Sequence, residues 1–212
     1  MGTSCCPAWS VMAKKLFPEQ ANCISMALTP MTLTARLIKH HQPGAKVAFI
    51  GPCAAKKLEA MRRTVRSEVD FVLTFEEMAG IFEARHIDVN TLKEDPHGVN
   101  DASADGRNFA VSGGVAQAVV NVIKEKYPDR EIKVANAEGL SECRKLMMMA
   151  KAGKYNGYLL EGMACPGGCV AGAGTMQSIK KSSVAVNMYA KQAEHQVATG
   201  THHVAELDKL VD

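Results

Sequence analysis

Three loops of this chain carry cysteines in settings suited to metal chemistry. Cys5 and Cys6 precede Pro7, Cys53 follows Gly51 and Pro52, and Cys165 and Cys169 lie within Glu161-Gly-Met-Ala-Cys-Pro-Gly-Gly-Cys169. Thiolates are soft ligands that select iron-sulfur clusters, zinc or Cu(I). Cysteines spread over distant glycine- and proline-rich loops therefore point to one cofactor gathered by the fold. Structural zinc is the plainer alternative, but its thiolates usually come in pairs two to four residues apart, and neither Cys6 nor Cys53 has such a ligand partner. Cys23 and Cys143 lie in helical or helix-adjacent sequence without motif company, where a free cysteine commonly acts as a small buried hydrophobe. His40-His41 and His202-His203 would be ligands in isolation, but their linker and terminal settings read as solvated surface.

Composition narrows the class. The chain has 212 residues, 47% hydrophobic and 22% charged, enough for one substantial core. A formal net charge of +3, with no block of Lys or Arg, argues against nucleic acid or an anionic membrane as the main partner. No apolar run reaches the roughly 18 residues that a membrane span needs. The N-terminus has no basic segment followed by an apolar one, so the expected address is the cytoplasm. Seven cysteines in such a chain favour metal or redox chemistry in a reducing compartment over a disulfide framework. Aromatic residues are only 5% while methionines number 12, so thioethers are expected to fill core gaps, some of them near the site.

The elements that must position the cysteines alternate between strands and helices. Short apolar runs at Val47–Ile50, Phe71–Phe75, Ile132–Ala135 and Tyr158–Leu160 predict four strands. Helical patterns cover Ser10–Phe17, Met31–His40, Glu76–Ala84, Gly114–Tyr127, Leu140–Ala152 and Ser182–Val197. Asp95–Arg107, rich in Asp, Gly, Asn and Pro, reads as loop. This alternation predicts an α/β fold with a mostly parallel sheet flanked by helices. Cys53 and Cys165 would then leave carboxyl ends of strands, where open α/β sheets bind ligands. Glycines around Cys165 and Cys169 let the backbone approach a bulky inorganic group and turn amides toward its sulfur.

Taken in order, Thr3-Ser-Cys-Cys-Pro-Ala-Trp9, Pro52-Cys-Ala-Ala-Lys-Lys-Leu-Glu59 and Glu161-Gly-Met-Ala-Cys-Pro-Gly-Gly-Cys169 resemble the three signatures of the [FeFe]-hydrogenase catalytic domain. The resemblance runs from Thr3 to about Tyr189. It implies part of the two-lobed catalytic domain of that family, with residues 1–45 a cluster-ligand and subsite-packing segment, 46–180 an α/β lobe and 181–212 a C-terminal helix and tail. It also implies a [4Fe-4S] cluster held by Cys6, Cys53, Cys165 and Cys169. Cys169 would bridge to a two-iron subsite carrying CO, cyanide and a dithiolate amine. The reaction would be H2 ⇌ 2H⁺ + 2e⁻, in an anaerobic setting. Cys5 would pass protons to the amine, and Ser25 and Glu59 match relay positions. Read without the family, Glu59 is a helix-surface carboxylate. Lys56 would hydrogen-bond a cyanide while Lys57 points elsewhere on a helix. Met163, Pro30 and Phe109 match positions that pack around the two-iron subsite.

Some features depart from the family pattern. Gly51 stands where the family usually has methionine, which is expected to open space beside the subsite. Ala171-Gly-Ala-Gly-Thr175 replaces a Gly-Gly-Gly-Gln-Pro run. The family's domain begins well upstream of its first cysteine motif and often carries ferredoxin-like Cys-x-x-Cys segments. This chain is thus expected to be a C-terminal portion, whether an excised piece, a split-gene subunit or a truncated gene product. Implied partners are the missing lobe or a complementary subunit, a ferredoxin-type electron donor or acceptor, and maturation proteins. Two alternatives stand beside the hydrogenase reading: a non-catalytic relative (sensor or cluster-assembly factor), and a plain iron-sulfur carrier or zinc module.

Overall fold

A computed structural model describes residues 1–93, 95 and 101–207. Its order begins with α1 (Pro7–Leu16), a 3-10 turn (Pro18–Cys23), α2 (Pro30–His41), β1 (Ala48–Ile50) and α3 (Ala55–Met61). Then come β2 (Phe71–Leu73), α4 (Phe75–Ala84), α5 (Ala104–Asn108), α6 (Gly114–Lys126), β3 (Lys133–Glu138) and α7 (Leu140–Lys151). β4 (Tyr158–Met163), α8 (Ile179–Lys191) and α9 (Val204–Leu207) complete it. All four expected strands are present and all pairing is parallel, as the α/β reading requires. Among the described residues they form two separate pairs: β1 with β2, and β3 with β4 in the register Ala135↔Leu160.

The chain start extends the second pair. Gly2 bridges in parallel to Leu160 on one side and Ile24 on the other. Thr3 N–H donates to the Leu160 carbonyl at 2.9 Å and Leu160 N–H to that of Met1 at 2.8 Å. Pro7 then starts α1 at a position where a missing N–H costs nothing, and Pro18 opens the turn that follows the helix. α1 lays Trp9 and Ala13, with the Phe17 that ends the helix, against Ile24, Leu160 of β4, and Cys143, Leu146 and Met147 of α7 to make the main core. Trp9 is fully buried, with its indole N–H donating 3.0 Å to the Thr3 carbonyl. Met147 fills core space as expected for a thioether. Cys143 is buried as expected, whereas Cys23 is exposed at the end of its turn.

Among the described helices, α3, α5 and α9 lie outside the helical patterns drawn above, although Lys57 and Glu59 read as helix positions in the sequence. α3 follows Cys53 directly, and α5 falls inside the segment expected to be loop, capped by Ser103 accepting from Gly106 N–H at 3.1 Å. All three are short, so the apolar period that identifies a helix has little room to show. Residues 96–100 of that expected loop lie outside the described residues. α8 begins three residues earlier than its pattern, capped by Ser178, and ends at Lys191, with residues 192–197 in irregular chain.

The core also limits substitution at Gly162 of β4. A Cβ there would lie 2.2 Å from Trp9 Cδ2, and the ring has no free side to move into. Gly162→Ala should therefore destabilise the fold by at least the ~1–3 kcal/mol typical of overpacking. A lowered urea-denaturation midpoint would show it, and an unchanged midpoint would mean that Trp9 repacks freely.

Candidate metal centre

Each cysteine reaches the site by a different element. Cys53 follows β1 by three residues and Cys165 follows β4 by two, so both leave carboxyl ends of strands as the α/β reading required. Cys6 is the residue before α1, held near the end of β4 by the bridge at Gly2. Cys169 opens a short 3-10 turn after Gly168. Gly168 has φ +93°, and a Cβ there would lie 2.6 Å from Ser112 N and 2.8 Å from the Ala110 oxygen, so only glycine fits. The Cys169 loop is bonded to its neighbours by Val170 N–H to the Ala110 carbonyl at 3.1 Å and Gly174 N–H to the Pro52 carbonyl at 3.0 Å. The second of these joins it to the Cys53 loop.

These placements converge. One cavity of about 130 Å³ is lined by Cys6, Cys53, Cys165 and Cys169 together with Cys5, Lys56 and Met163. Pro7, Ala54, Ala55, Ala164 and Ala173 supply much of the remaining wall, which is apolar. Burial first, then the charges of Glu161, Cys6 and Cys169, pushes the Cys5 thiol up to about 12. Cys169 is likewise pushed up to about 12, by burial and then by Cys53, Cys6 and Cys165, with Lys56 acting the other way. Burial, then Cys53 and Cys6, raises Cys165. The thiols are thus drawn out of water and toward one another, and Lys56 offsets only part of the effect at Cys169.

The donor set fits a cluster better than a single ion. Tetrahedral zinc with Zn–S of about 2.3 Å needs sulfurs about 3.8 Å apart. Among the described residues, the sole set of three or more candidate ligand atoms within 4.8 Å of one another is Asp101, His202 and His203. No three of the site sulfurs are that close. Four thiolates spaced around a small apolar cavity suit a multi-iron cluster, whose irons lie between the sulfurs and offset the clustered charge.

The remaining expected residues divide. Lys56 is buried and its Nζ donates to Glu59 Oε2 at 2.7 Å, with Thr29 Oγ1 donating to the same oxygen at 3.2 Å. Lys57 points away, as expected, to Glu77 at 2.7 and 2.9 Å. Ser25 and Glu59 line a second hollow of about 350 Å³ that meets the cysteine cavity across Pro7. Glu59 is buried, which sets aside the reading of it as a surface carboxylate. Pro30 is exposed at the start of α2 and Phe109 is half-buried at the end of α5, and neither lines the cysteine cavity. Gly51 is not in its wall either. A Cβ there would lie 2.8 Å from the Phe49 ring, so Phe49 occupies the space that the missing methionine was expected to leave.

Sequence reasoning gave no role to Glu161, the fully buried first residue of its own motif. Its carboxylate accepts from Gly113 N–H at 2.6 Å and Ala116 N–H at 2.5 Å. It thereby caps α6 from β4, where Gly113 has no side chain to do so. Burial outweighs those bonds and raises the carboxyl above its ordinary range. The available signal was a carboxylate inside an otherwise apolar strand.

With this geometry in hand, comparison with known proteins is direct. Residues 1–173 match the family described as iron only hydrogenase large subunit, C-terminal domain. The chain belongs to that family. It is 30% identical over 215 residues to the periplasmic [Fe] hydrogenase large subunit of Nitratidesulfovibrio vulgaris, covering 81% of this chain and 50% of that one. It is also similar to the nuclear prelamin A recognition factor of Xenopus laevis, 25% identical over 224 residues, covering 84% and 49%. In fold it resembles an apo [FeFe]-hydrogenase HydA1 variant from Chlamydomonas reinhardtii, with a TM-score of 0.76 at 23% identity, covering 99% of this chain and 71% of the other. The chain thus spans about half the length of these two relatives.

The raised thiols give the site a pH dependence. Raised pKa values leave few thiolates at neutral pH, so binding iron must expel protons. Reconstitution with ferrous iron and sulfide should become more favourable as pH rises from about 7 toward 9, with proton release measurable in weak buffer. Loading independent of pH would contradict the protonated state assigned to Cys165 and Cys169.

Proposed function

We propose that this chain is the cluster-binding portion of an iron-only hydrogenase. Cys6, Cys53, Cys165 and Cys169 would hold a [4Fe-4S] cluster, with Cys169 bridging to a two-iron subsite of the CO, cyanide and dithiolate-amine type. The observation that carries this reading is the single cavity lined by all four thiols, Cys5, Lys56 and Met163. When bound, the cofactor supplies the electrons and the place where protons and H2 interconvert.

The chain's own residues bind, orient and move protons. An apolar cavity excludes water, so protons must be handed over by side chains. Cys5 keeps its proton at neutral pH and faces the cavity, as a donor must. Ser25 and Glu59 lie in the adjoining hollow, in position to resupply it. Glu59 has a second task, since its ion pair fixes the Lys56 ammonium at the cavity wall, where a buried cation suits an anionic ligand such as cyanide. Turnover is proposed for the chain joined by the rest of its catalytic domain, whether an upstream lobe or a complementary subunit. A ferredoxin-type electron partner and maturation proteins complete the proposal, in the reducing cytoplasm that seven free thiols suit.

A second reading, a non-catalytic iron-sulfur protein, is favoured by similarity to a protein named cytosolic Fe-S cluster assembly factor NAR1 from Kluyveromyces lactis, 26% identical over 138 residues. The two diverge at Cys5 and Lys56, which a plain cluster carrier does not need. In the completed domain, Cys5→Ala should retain iron yet slow H2 evolution by roughly 10²- to 10⁴-fold. Cys6→Ala should lose the [4Fe-4S] cluster altogether. Near-normal evolution from Cys5→Ala would sink the proton route through Cys5, Ser25 and Glu59. Lys56→Ala should remove the infrared cyanide bands while the [4Fe-4S] cluster stays, and Lys57→Ala should leave both. If the matured wild type shows neither CO nor cyanide bands, the non-catalytic reading replaces this one.

A further inference from the structure

Outside the cysteine cavity, three separate segments bring imidazoles and carboxylates together. Asp101, His202 and His203 each place one ligand atom so that all lie within 4.8 Å of one another. His203 Nε2 is 3.4 Å from Asp101 Oδ2, and its other ring nitrogen, Nδ1, is 3.5 Å from Glu206 Oε2. Glu206 also lies 3.7 Å from His41 Nε2 at the end of α2. The His202 and His203 rings are 3.9 Å apart.

We propose that Asp101, His202 and His203 form a binding site for a first-row divalent transition ion, with Glu206 orienting His203 from behind. The spacing of Asp101 and His203 leaves room for an ion between them. A gap of 3.4 Å is long for a charge-assisted bond, which usually measures about 2.7–2.9 Å. It matches the edge of a tetrahedron whose bonds to nitrogen and oxygen are about 2.0–2.1 Å. The arrangement of His203 is the second indication. A metal-ligating histidine generally donates its other N–H to a carboxylate, which fixes the tautomer and the ring plane. Here Nε2 faces Asp101 while Nδ1 faces Glu206 Oε2, and His41 Nε2 lies 3.7 Å from that same oxygen. Two imidazoles and one carboxylate favour zinc, iron, cobalt or nickel over calcium, which prefers a shell of oxygens. Such an ion would clip the turn before α9 to Asp101, and through Glu206 and His41 to α2.

Zinc titrated calorimetrically into the full chain tests the proposal, with thiols first blocked as methyl disulfides so that the cysteine cavity cannot compete. Wild type should bind a single equivalent and calcium should produce no comparable heat. His202→Ala and His203→Ala should each abolish the event while keeping the circular dichroism of the metal-free chain. Glu206→Gln should keep the stoichiometry and weaken zinc by roughly 10- to 100-fold. His86→Asn, in the turn after α4, should change nothing. No zinc binding by wild type, or binding unchanged in His202→Ala and His203→Ala, would overturn the site. Calcium bound as tightly as zinc would reduce it to charge attraction and overturn it equally. An unchanged affinity in Glu206→Gln would overturn the orienting role.

Discussion

Four thiols held in one apolar cavity make a problem that the rest of this structure is arranged around. Raising the Cys169 thiol from 9.0 to about 12 makes its ionisation costlier by roughly 4 kcal/mol, at about 1.4 kcal/mol per pKa unit. Burial and neighbouring thiols produce that cost, and Lys56 relieves only part of it. A multi-iron cluster held by these thiolates would offset that cost, because its positive irons would neutralise their charge. The fold keeps the thiols together by backbone hydrogen bonds from loop to loop, such as Gly174 to Pro52, and by the bridge that makes Gly2 a strand between Ile24 and Leu160.

The same logic explains the charged residues buried nearby. Glu59 and Lys56 are both buried, and each would be costly alone. Paired at 2.7 Å, with Thr29 on the same carboxylate oxygen, they make a fixed ammonium at the cavity wall. Glu161 is buried against the N-terminus of α6, where unpaired N–H groups of the first turn accept a carboxylate. Its charge also reaches Cys5 and helps keep that thiol protonated. One residue therefore serves both the seating of a helix and the state of the proposed proton donor.

Much of this was legible in the sequence, for reasons that can be stated. Cysteine in glycine- and proline-rich loops has few structural uses, so Cys53, Cys165 and Cys169 stood out as candidate ligands, and apolar runs placed β1 and β4 before them. Lys56 and Lys57 separated correctly because adjacent helix positions face different ways. What stayed hidden depended on tertiary partners. Glu59 could not announce its pairing with Thr29, 30 residues away, nor Glu161 its bonds to Gly113 and Ala116. The five residues of α5 are too few for a helical period, and Gly106 within them reads as loop. At Gly51, a missing side chain suggested an opening that the Phe49 ring fills. Histidine pairs at 40–41 and 202–203 are largely solvent-exposed, as their settings imply, but nothing in the sequence places His41, Asp101 and Glu206 near His203.

The central claim is that Cys6, Cys53, Cys165 and Cys169 act as one ligand set for iron. Mössbauer spectroscopy of the chain reconstituted anaerobically with ⁵⁷Fe and sulfide addresses it most directly. The account predicts the signature of a [4Fe-4S] cubane, with iron and labile sulfide in its ratio, lost on replacing any one of Cys6, Cys53, Cys165 or Cys169 and kept on replacing Cys23 or Cys143. A cubane that survives loss of one of those four, or a chain that takes up zinc at the cysteines and refuses iron and sulfide, would contradict it.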